Sequence, residues 1–299
     1  MKVTVIIPSF NHAKYLKQRI DSVLNQTFKD FELIILDDAS TDKSKEIIST
    51  YLINNPEIRV YFNNKNSGSP YKQWNKGVSL ANGEYIWIAE SDDYADFRFL
   101  EKELFEIEKS NRIGIVYCDT RIQNDDRGIK YLYSAKNSSK NDCVKFLTEA
   151  DLVENPIPNV SSVLFRKSAY VGSGMADPGL RFCSDWYLYL KIKQTWDIIY
   201  LPEALNTYRL HEDSGYNLHY RSNKFLKEKI QIYAWLLRGM SLNARIFYRI
   251  LKGITKSLGL RMMHMLHLPS FIIPEIPRIP RKLSHCHELC LLLCLILPS

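Results

Sequence analysis

The feature that most restricts the fold of this chain is the alternation of apolar runs with amphipathic segments through its first 118 residues. The amphipathic segments carry apolar side chains at helical spacing, as in Leu16, Ile20 and Val23. The apolar runs have the length and β-branched content of buried strands and lie at residues 3–7, 31–36, 58–62, 84–89 and 113–118. Strands that alternate with helices over short links predict a mainly parallel, Rossmann-like α/β sheet with helices on both faces.

The alternation fades beyond residue 118, where polar segments separate less regular elements. We predict that residues 1–118 and 119–218 are two halves of one α/β domain. The net charge of +7 is concentrated after that domain: from residue 221 onward there are 13 Lys and Arg against 3 Asp and Glu, whereas the preceding residues carry 27 basic and 30 acidic side chains. This change in composition predicts a separate basic extension over residues 219–299.

Apolar positions at helical spacing in the extension predict amphipathic helices. Such helices lie on an anionic membrane surface, pack on the rest of the chain, or pack on a second copy of the chain. The sequence does not decide among these alternatives, and it leaves the oligomeric state open. No nucleic-acid-binding motif accompanies the basic residues, so we expect no nucleic-acid partner. The apolar run at 289–297 is about nine residues long, well short of the roughly 20 that span a bilayer.

Cysteine usage indicates the compartment. The six cysteines include no C-x-x-C pair, and the first residues lead into a strand-like run instead of a secretory signal. We therefore expect free thiols in a cytoplasmic protein, with any membrane contact peripheral and on the inner face of the cytoplasmic membrane.

Paired carboxylates follow two of the predicted strands. Asp37 and Asp38 end one strand, and Asp92 and Asp93 end another. Because parallel strands of one sheet end at the same edge, both pairs should face one crevice, where they repel unless a cation or a donor-rich ligand joins them. Mg²⁺ or Mn²⁺ held by one or two carboxylates and by substrate phosphates fits this pattern. The alternative is ordinary turn chemistry, in which the carboxylates cap turns and helices.

Two nucleotide-binding classes are excluded by missing glycine patterns. The chain has neither G-x-x-x-x-G-K-[ST] nor a G-x-G-x-x-G after its first strand. This argues against P-loop enzymes and dinucleotide oxidoreductases.

The segments 3–11, 22–27, 31–42 and 82–86, taken in order, resemble the family 2 glycosyltransferases, which have the GT-A fold. The resemblance covers about residues 1–215. It implies a metal-dependent, inverting, hexosyltransferase-type enzyme that uses a nucleotide sugar, commonly UDP-linked. Residues 1–118 would then bind the donor, and residues 119–218 would form the acceptor side.

Donor-side roles follow from the same resemblance. Asp38 is similar to the family's acid that hydrogen-bonds the donor base, and Pro8 would line the same pocket. Asp92 would lie toward the ribose and Asp93 on the metal. The chain departs from the family pattern at Glu90 and Ser91, where members often have a further aspartate.

A second departure lies in the donor-side helix. Residues 73–75 read Gln-Trp-Asn where the family more often has Ala-Arg-Asn. An arginine contact to phosphate is thereby missing, and Lys72 or Lys76 would replace it.

Acceptor-side roles fall near residue 185. Asp185 resembles the family's catalytic base, which takes the proton from the acceptor hydroxyl, and its other reading is a helix N-cap. Trp186 beside it is a candidate for acceptor contact. His211 lies in the family's segment that closes over the diphosphate and is a candidate metal ligand, although a lone histidine is more often a surface residue or a satisfied buried one.

The resulting expectation is a glycosyltransferase of surface polysaccharide or glycolipid assembly, acting on a glycan or a lipid-linked acceptor. A nucleotidyltransferase is the alternative enzyme, but it would need a glycine- and arginine-rich signature after the first strand. A non-catalytic scaffold that binds nucleotide sugars or membranes is the third alternative, encouraged only by the altered positions 74, 90 and 91.

Overall fold

The fold is described by a computed structural model over residues 1–124, 128–136, 143–211, 223–239, 249–250 and 253. It divides into two compact units, Met1–Phe225 and Leu226–Ser299. The predicted boundary at residue 219, the apolar run at 289–297 and most of the basic extension lie outside the described residues.

The first half of the chain alternates strands and helices, as predicted. Its elements are β1 (Val3–Ser9), α1 (Ala13–Leu24), β2 (Phe31–Asp37), α2 (Ser44–Asn54), β3 (Arg59–Phe62), α3 (Pro70–Leu80), β4 (Tyr85–Ile88), β5 (Tyr94–Ala95), α4 (Phe99–Ile107) and β6 (Ile113–Asn124).

The second half is less regular. Its elements are β7 (Ile129–Leu132), α5 (Tyr133–Lys136), β8 (Lys145–Phe146), α6 (Glu149–Leu152), a 3-10 turn (Val160–Ser162), β9 (Val163–Arg166), α7 (Lys167–Gly172), α8 (Ser184–Lys193), β10 (Asp197–Leu210) and α9 (Asn223–Gly239).

The strands described form one sheet in the order β3-β2-β1-β4-β9-β6-β10-β5, with β7 beside β6 and β8 beside β10. The β3-β2-β1-β4 portion and the β6-β10 pair are parallel, whereas β9 runs antiparallel between β4 and β6. This architecture confirms the predicted α/β class with a mostly parallel sheet.

The centre of the sheet is covered on both faces. Every residue of β1 is buried, as its apolar run predicts. On one face Val5 packs in a core cluster with Leu16 and Ile20 of α1. On the other face α3 approaches closely, because a Cβ on Gly77 would lie only 2.5 Å from Cγ2 of Ile6. The buried centre therefore fixes α1 and α3 relative to the strand ends.

One strand differs from the sequence prediction in a way that matters for the site. In the half where the sequence pattern is irregular, residues from Asp197 to Leu210 form one long strand, β10. Register shifts between Leu201 and Ala204 and between Ala204 and Asn206 let the strand continue past Pro202. Asn206 and Thr207 of this strand pair with β5, which comes just after the acidic residues that follow β4.

Helix α9 has an amphipathic sequence, and four of its apolar side chains are buried: Ile230, Ile232, Tyr233 and Leu236. Among the described residues, no helix combines the length and the apolar character needed to cross a bilayer.

Candidate active site

The turn Glu90–Asp93, which we call the acidic turn, follows β4 at the carboxyl end of the sheet. The backbone N–H of Asp93 donates to the carbonyl of Glu90 at 3.2 Å and closes the turn. Nε of Arg19 also donates to that carbonyl at 2.7 Å, and the N–H of Glu90 donates to Oγ of Ser161 at 3.1 Å. The turn is thus held by α1 from one side and by the 3-10 turn from the other.

Three potential metal ligands lie together at this turn. The ligand atoms of His12, Asp92 and His211 all lie within 4.8 Å of one another. Nε2 of His211 is 3.1 Å from Oδ2 of Asp92, and Nδ1 of His12 is 2.8 Å from Oγ of Ser91. Among the described residues this is the cluster whose chemistry suits a divalent cation.

Asp92 is ionised in this setting. Burial alone would raise the pKa of Asp92, but the hydrogen bond to His211 and the charges of His12 and His211 hold that pKa below its ordinary value. The ring of Tyr15 packs against His211 with 4.9 Å between centroids. The cluster therefore combines an ionised carboxylate with two imidazoles.

Asp93 is not part of that cluster. Its side chain is 1% exposed, Oδ1 accepts from the backbone N–H of Arg209 at 3.0 Å, and Oδ2 accepts from Nδ2 of Asn159 at 2.6 Å. Burial and the charge of Asp92 raise the pKa of Asp93 to about 7. The sequence analysis placed Asp93 on the metal and Asp92 toward the ribose, whereas the geometry brings Asp92 to the imidazoles and engages both oxygens of Asp93 within the chain.

Two buried arginines flank the acidic turn, and neither was predicted. Arg19 is fully buried, with its guanidinium 5.6 Å from the ring centre of Trp87, and burial lowers its pKa to about 10 against the opposing charges of Asp93 and Asp92. Nη1 of Arg209 donates to the backbone carbonyl of Asp92 at 2.9 Å. In the sequence, the only sign of either arginine was a charged residue among the apolar positions of a predicted buried element.

Asp38 organises the loop at residues 63–67. Its Oδ1 accepts from Nδ2 of Asn63 at 2.6 Å and from Nε2 of Gln73 at 2.9 Å, and its Oδ2 accepts from Oγ of Ser67 at 2.7 Å. The N–H of Ser67 lies 3.0 Å from both oxygens. Asp38 therefore ties residues 63–67 and α3 to the end of β2, close to Pro8, which is buried in β1.

Both predicted lysines lie on α3 and reach this loop with their side chains. Nζ of Lys72 donates to the carbonyl of Ser67 at 3.1 Å, and Nζ of Lys76 donates to Oδ1 of Asn63 at 2.6 Å. The two ammonium groups therefore contact Ser67 and Asn63, the same loop residues that hydrogen-bond Asp38.

Trp74, on the same helix, reaches the acidic turn instead. Its indole Nε1 donates to Oε1 of Glu90 at 2.5 Å. Burial and the charge of Asp92 raise the pKa of Glu90 to about 8, so this carboxyl is mostly protonated at neutral pH.

The segment before α8 contacts Gly68 and α3. Nη1 of Arg181 donates to the carbonyl of Gly68 at 2.7 Å, and Nδ2 of Asn75 donates to the carbonyl of Ala176 at 2.7 Å. Asp185 lies in the first turn of α8, directly after this segment. Its role as a base stays a prediction.

Trp186 is a core residue. It is 4% exposed, and its Nε1 donates to the carbonyl of Leu152 at 2.7 Å. Its burial and its hydrogen bond explain a tryptophan at this position by packing alone. The contact with an acceptor stays a prediction.

Comparisons with known proteins agree with this architecture. The family model described as glycosyl transferase family 2 matches residues 4–168. The chain is 34% identical over 176 residues to poly(ribitol-phosphate) beta-N-acetylglucosaminyltransferase TarP of Staphylococcus aureus, a match that covers 56% of this chain and 49% of TarP. For three other curated relatives the matched stretch spans only 13% to 42% of their length.

Two solved structures show the same fold. S. aureus TarS 1-349 in complex with UDP-GlcNAc superposes with a TM-score of 0.68 at 21% identity, covering 88% of this chain and 73% of TarS 1-349. The mannosyltransferase PcManGT from Pyrobaculum calidifontis, in complex with GDP-Man and Mn²⁺, gives a TM-score of 0.64 at 15% identity and covers 89% of this chain and 74% of PcManGT.

Proposed function

Because the chain belongs to glycosyl transferase family 2, we propose that it transfers a sugar from a nucleotide-sugar donor to an acceptor hydroxyl with inversion, using a divalent metal ion. The observation that carries the proposal is the meeting of Asp92 and His211 at the end of β4, at the same edge of the sheet as Asp38. In open α/β sheets, ligands bind outside the carboxyl ends of the strands.

The residues present fit a divalent ion. Oδ2 of Asp92 and Nε2 of His211 lie 3.1 Å apart, a spacing that two ligands of one ion can adopt with little movement. Asp92 and His211 would hold the ion, which when bound neutralises negative charge on the diphosphate. Arg209 and Ser161 then keep the backbone of the acidic turn in place.

The donor would lie along the crevice between the loop at 63–69 and the acidic turn. Asp38 preorganises this loop through Asn63, Ser67 and Gln73, and Lys72 and Lys76 add positive charge for phosphates. A UDP-sugar is our proposed donor, supported by the family resemblance and by the UDP-GlcNAc complex of TarS.

The acceptor side is proposed around the start of α8. Asp185 would take the proton from the acceptor hydroxyl as that oxygen attacks the anomeric carbon, while the bond to the nucleoside diphosphate breaks. The TarP match supports a surface-polymer acceptor as the class to test first. Contact with a membrane surface is a further proposal for the extension.

The proposal is tested by release of nucleoside diphosphate from UDP-, GDP- and dTDP-sugars, measured with and without Mn²⁺. Wild type is compared with Asp92→Asn and with the matched control Asp30→Asn, whose carboxylate lies before β2, at the opposite end of that strand from Asp38. Metal-dependent release that is lost only in Asp92→Asn supports the proposal. Nucleotide binding without release or transfer to any acceptor would favour the scaffold, and pyrophosphate formation would favour the nucleotidyltransferase.

A further inference from the structure

We infer that His12 is a third protein ligand of the metal and that this second imidazole makes the site prefer a transition ion such as Mn²⁺ or Co²⁺ over Mg²⁺. The inference rests on the proposed function for the presence of a metal, and it extends that site to the amino end of α1. Its basis is the cluster in which the ligand atoms of His12, Asp92 and His211 lie within 4.8 Å of one another.

The spacing suits three ligands of one ion. Ligand atoms about 2.1 Å from a metal lie at most about 4.2 Å apart. The 4.8 Å limit of the cluster therefore requires a shift of only a few tenths of an ångström per side chain. The rings of His12 and His211 are nearly perpendicular, with 5.8 Å between centroids, so two imidazoles can approach one point without stacking.

The position of His12 is fixed by its neighbours. Asn11 has a φ of 54°, in the left-handed region that asparagine tolerates better than most residues. Its N–H donates to Oγ of Ser40 at 3.0 Å, and its Oδ1 accepts from the N–H of Thr41 at 2.8 Å. On the other side, the N–H of Ala13 donates to Oδ2 of Asp42 at 2.8 Å. The loop after β2 thus anchors the backbone on both sides of His12.

The ring of His12 is also oriented at the site itself. Nδ1 lies 2.8 Å from Oγ of Ser91, the residue before Asp92. Outer hydrogen bonds of this kind orient metal-binding imidazoles and are part of their affinity. The serine between Glu90 and Asp92 therefore gains a role that its place in the family pattern did not suggest.

The composition of the ligand set predicts its selectivity. Mg²⁺ prefers oxygen ligands and keeps several waters, whereas imidazole favours transition ions. A site with Asp92 and His211 alone offers one oxygen and one nitrogen, and His12 makes nitrogen the majority. His12 therefore contributes more to Mn²⁺ or Co²⁺ affinity than to Mg²⁺ affinity.

The test is a titration of the full chain with Mn²⁺ in the absence of nucleotide, in which EPR measures the free Mn²⁺. It compares wild type with His12→Gln, Ser91→Ala and the control Asp30→Asn. We expect His12→Gln to weaken Mn²⁺ binding tenfold or more, since loss of even an outer-shell partner typically costs about 10–100-fold. Ser91→Ala should give a smaller loss. Mg²⁺ affinity, measured by competition, should fall by less than about threefold in His12→Gln.

Pulsed EPR of the Mn²⁺-loaded protein gives a second readout that does not depend on affinity. We expect couplings from two imidazole nitrogens in wild type and from one in His12→Gln. Thermal unfolding of each variant shows whether its fold is intact, and wild type alone suffices for the nitrogen count if His12→Gln unfolds.

The outcomes separate this inference from the proposed function. Unchanged Mn²⁺ affinity in folded His12→Gln, or a single nitrogen in wild type, overturns the inference and leaves the proposed function standing if wild type binds UDP. Unchanged Mn²⁺ affinity with weaker UDP binding also overturns it and assigns His12 to the diphosphate. Mn²⁺ binding that depends on His12, in a wild type that binds no UDP, GDP or dTDP, supports the metal site and contradicts the proposed function.

Discussion

Trp74 and Glu90 are joined by a hydrogen bond of 2.5 Å, donated by the indole Nε1 to Oε1 of the carboxyl group. The sequence analysis singled out both positions as departures from the pattern of the family that the chain resembles, and in the structure the two side chains contact each other. An indole N–H carries no charge and needs only an acceptor, which a protonated glutamic acid supplies. The bond links α3 of the donor side to the acidic turn.

A double-mutant cycle on this pair should reveal coupling. Trp74→Phe removes the donor, and Glu90→Ala removes the acceptor. We expect each single variant to lower the free energy of unfolding by about 1–3 kcal/mol and the pair to show a coupling of about 1 kcal/mol. Urea unfolding at pH 7 measures all four proteins. Additive effects would mean that the contact contributes nothing to stability.

Asp92 and Asp93 should respond differently to the same substitution. Asp92→Asn is expected to abolish metal-dependent release of nucleoside diphosphate and to leave thermal stability nearly unchanged, because the side chain lies at the cluster with His211. Asp93→Asn places an amide N–H₂ against donors of Asn159 or Arg209 and should destabilise the fold by about 1–3 kcal/mol. Activity and calorimetric unfolding of both variants check the contrast, and the reverse pattern would favour Asp93, as the sequence analysis predicted, as the ligand.

The sequence predicted the sheet well, because the apolar runs of β1, β2, β4 and β6 are almost entirely buried and leave little ambiguity. It predicted that Asp38 and the acidic pair reach one edge of the sheet. It placed Asp92 toward the ribose and Asp93 on the metal, and that assignment stays a prediction, since adjacent residues in a turn point in directions that only the turn geometry decides. It missed His12, Arg19 and Arg209, because elements distant in sequence bring these residues to the acidic turn. Arg209 also depends on the bulges in β10, which a residue pattern does not show.

Asp38 should matter for nucleotide affinity through the loop that it holds. Asp38→Asn converts one acceptor oxygen into a donor that faces Asn63, Ser67 or Gln73. Loss of hydrogen bonds to a charged group costs about 1.5–3 kcal/mol, which corresponds to roughly tenfold or more in Kd. Calorimetric titration with UDP in the presence of Mn²⁺ measures the change. The control Asp30→Asn should bind as wild type does, and equal binding by Asp38→Asn would contradict the role of the loop.

Asp185→Asn separates chemistry from donor binding. If Asp185 takes the proton of the acceptor hydroxyl, the variant should lose about 10²–10⁴-fold in kcat. Its Kd for UDP should stay within about twofold of wild type, because the amide preserves the shape of the first turn of α8. Near-normal turnover with an acceptor would exclude Asp185 as the base. A matched loss of binding and turnover would instead assign it to the structure of the segment that contacts Gly68.

A pH-dependent loss of stability should originate at Glu103, which is not part of the cluster of His12, Asp92 and His211. Glu103 is fully buried on α4 near Cys118, and burial raises its pKa well above the ordinary value of 4.5. The unfolded chain releases this proton near pH 4.5, so between that pH and the raised folded pKa the folded state binds more protons than the unfolded state. Stability contributed by the protonated carboxyl is therefore complete below about pH 4.5 and declines as the pH rises.

Glu103→Gln removes this titration and keeps a neutral side chain of the same shape. We expect its advantage over wild type in free energy of unfolding to grow from pH 5 to pH 8, with about 1.4 kcal/mol for each pH unit as the upper limit. Urea unfolding across that range measures the difference, with exposed Glu57→Gln as the matched control. A constant difference at every pH would show that Glu103 has the same proton occupancy in the folded and unfolded states, and would place the origin of any pH dependence elsewhere in the chain.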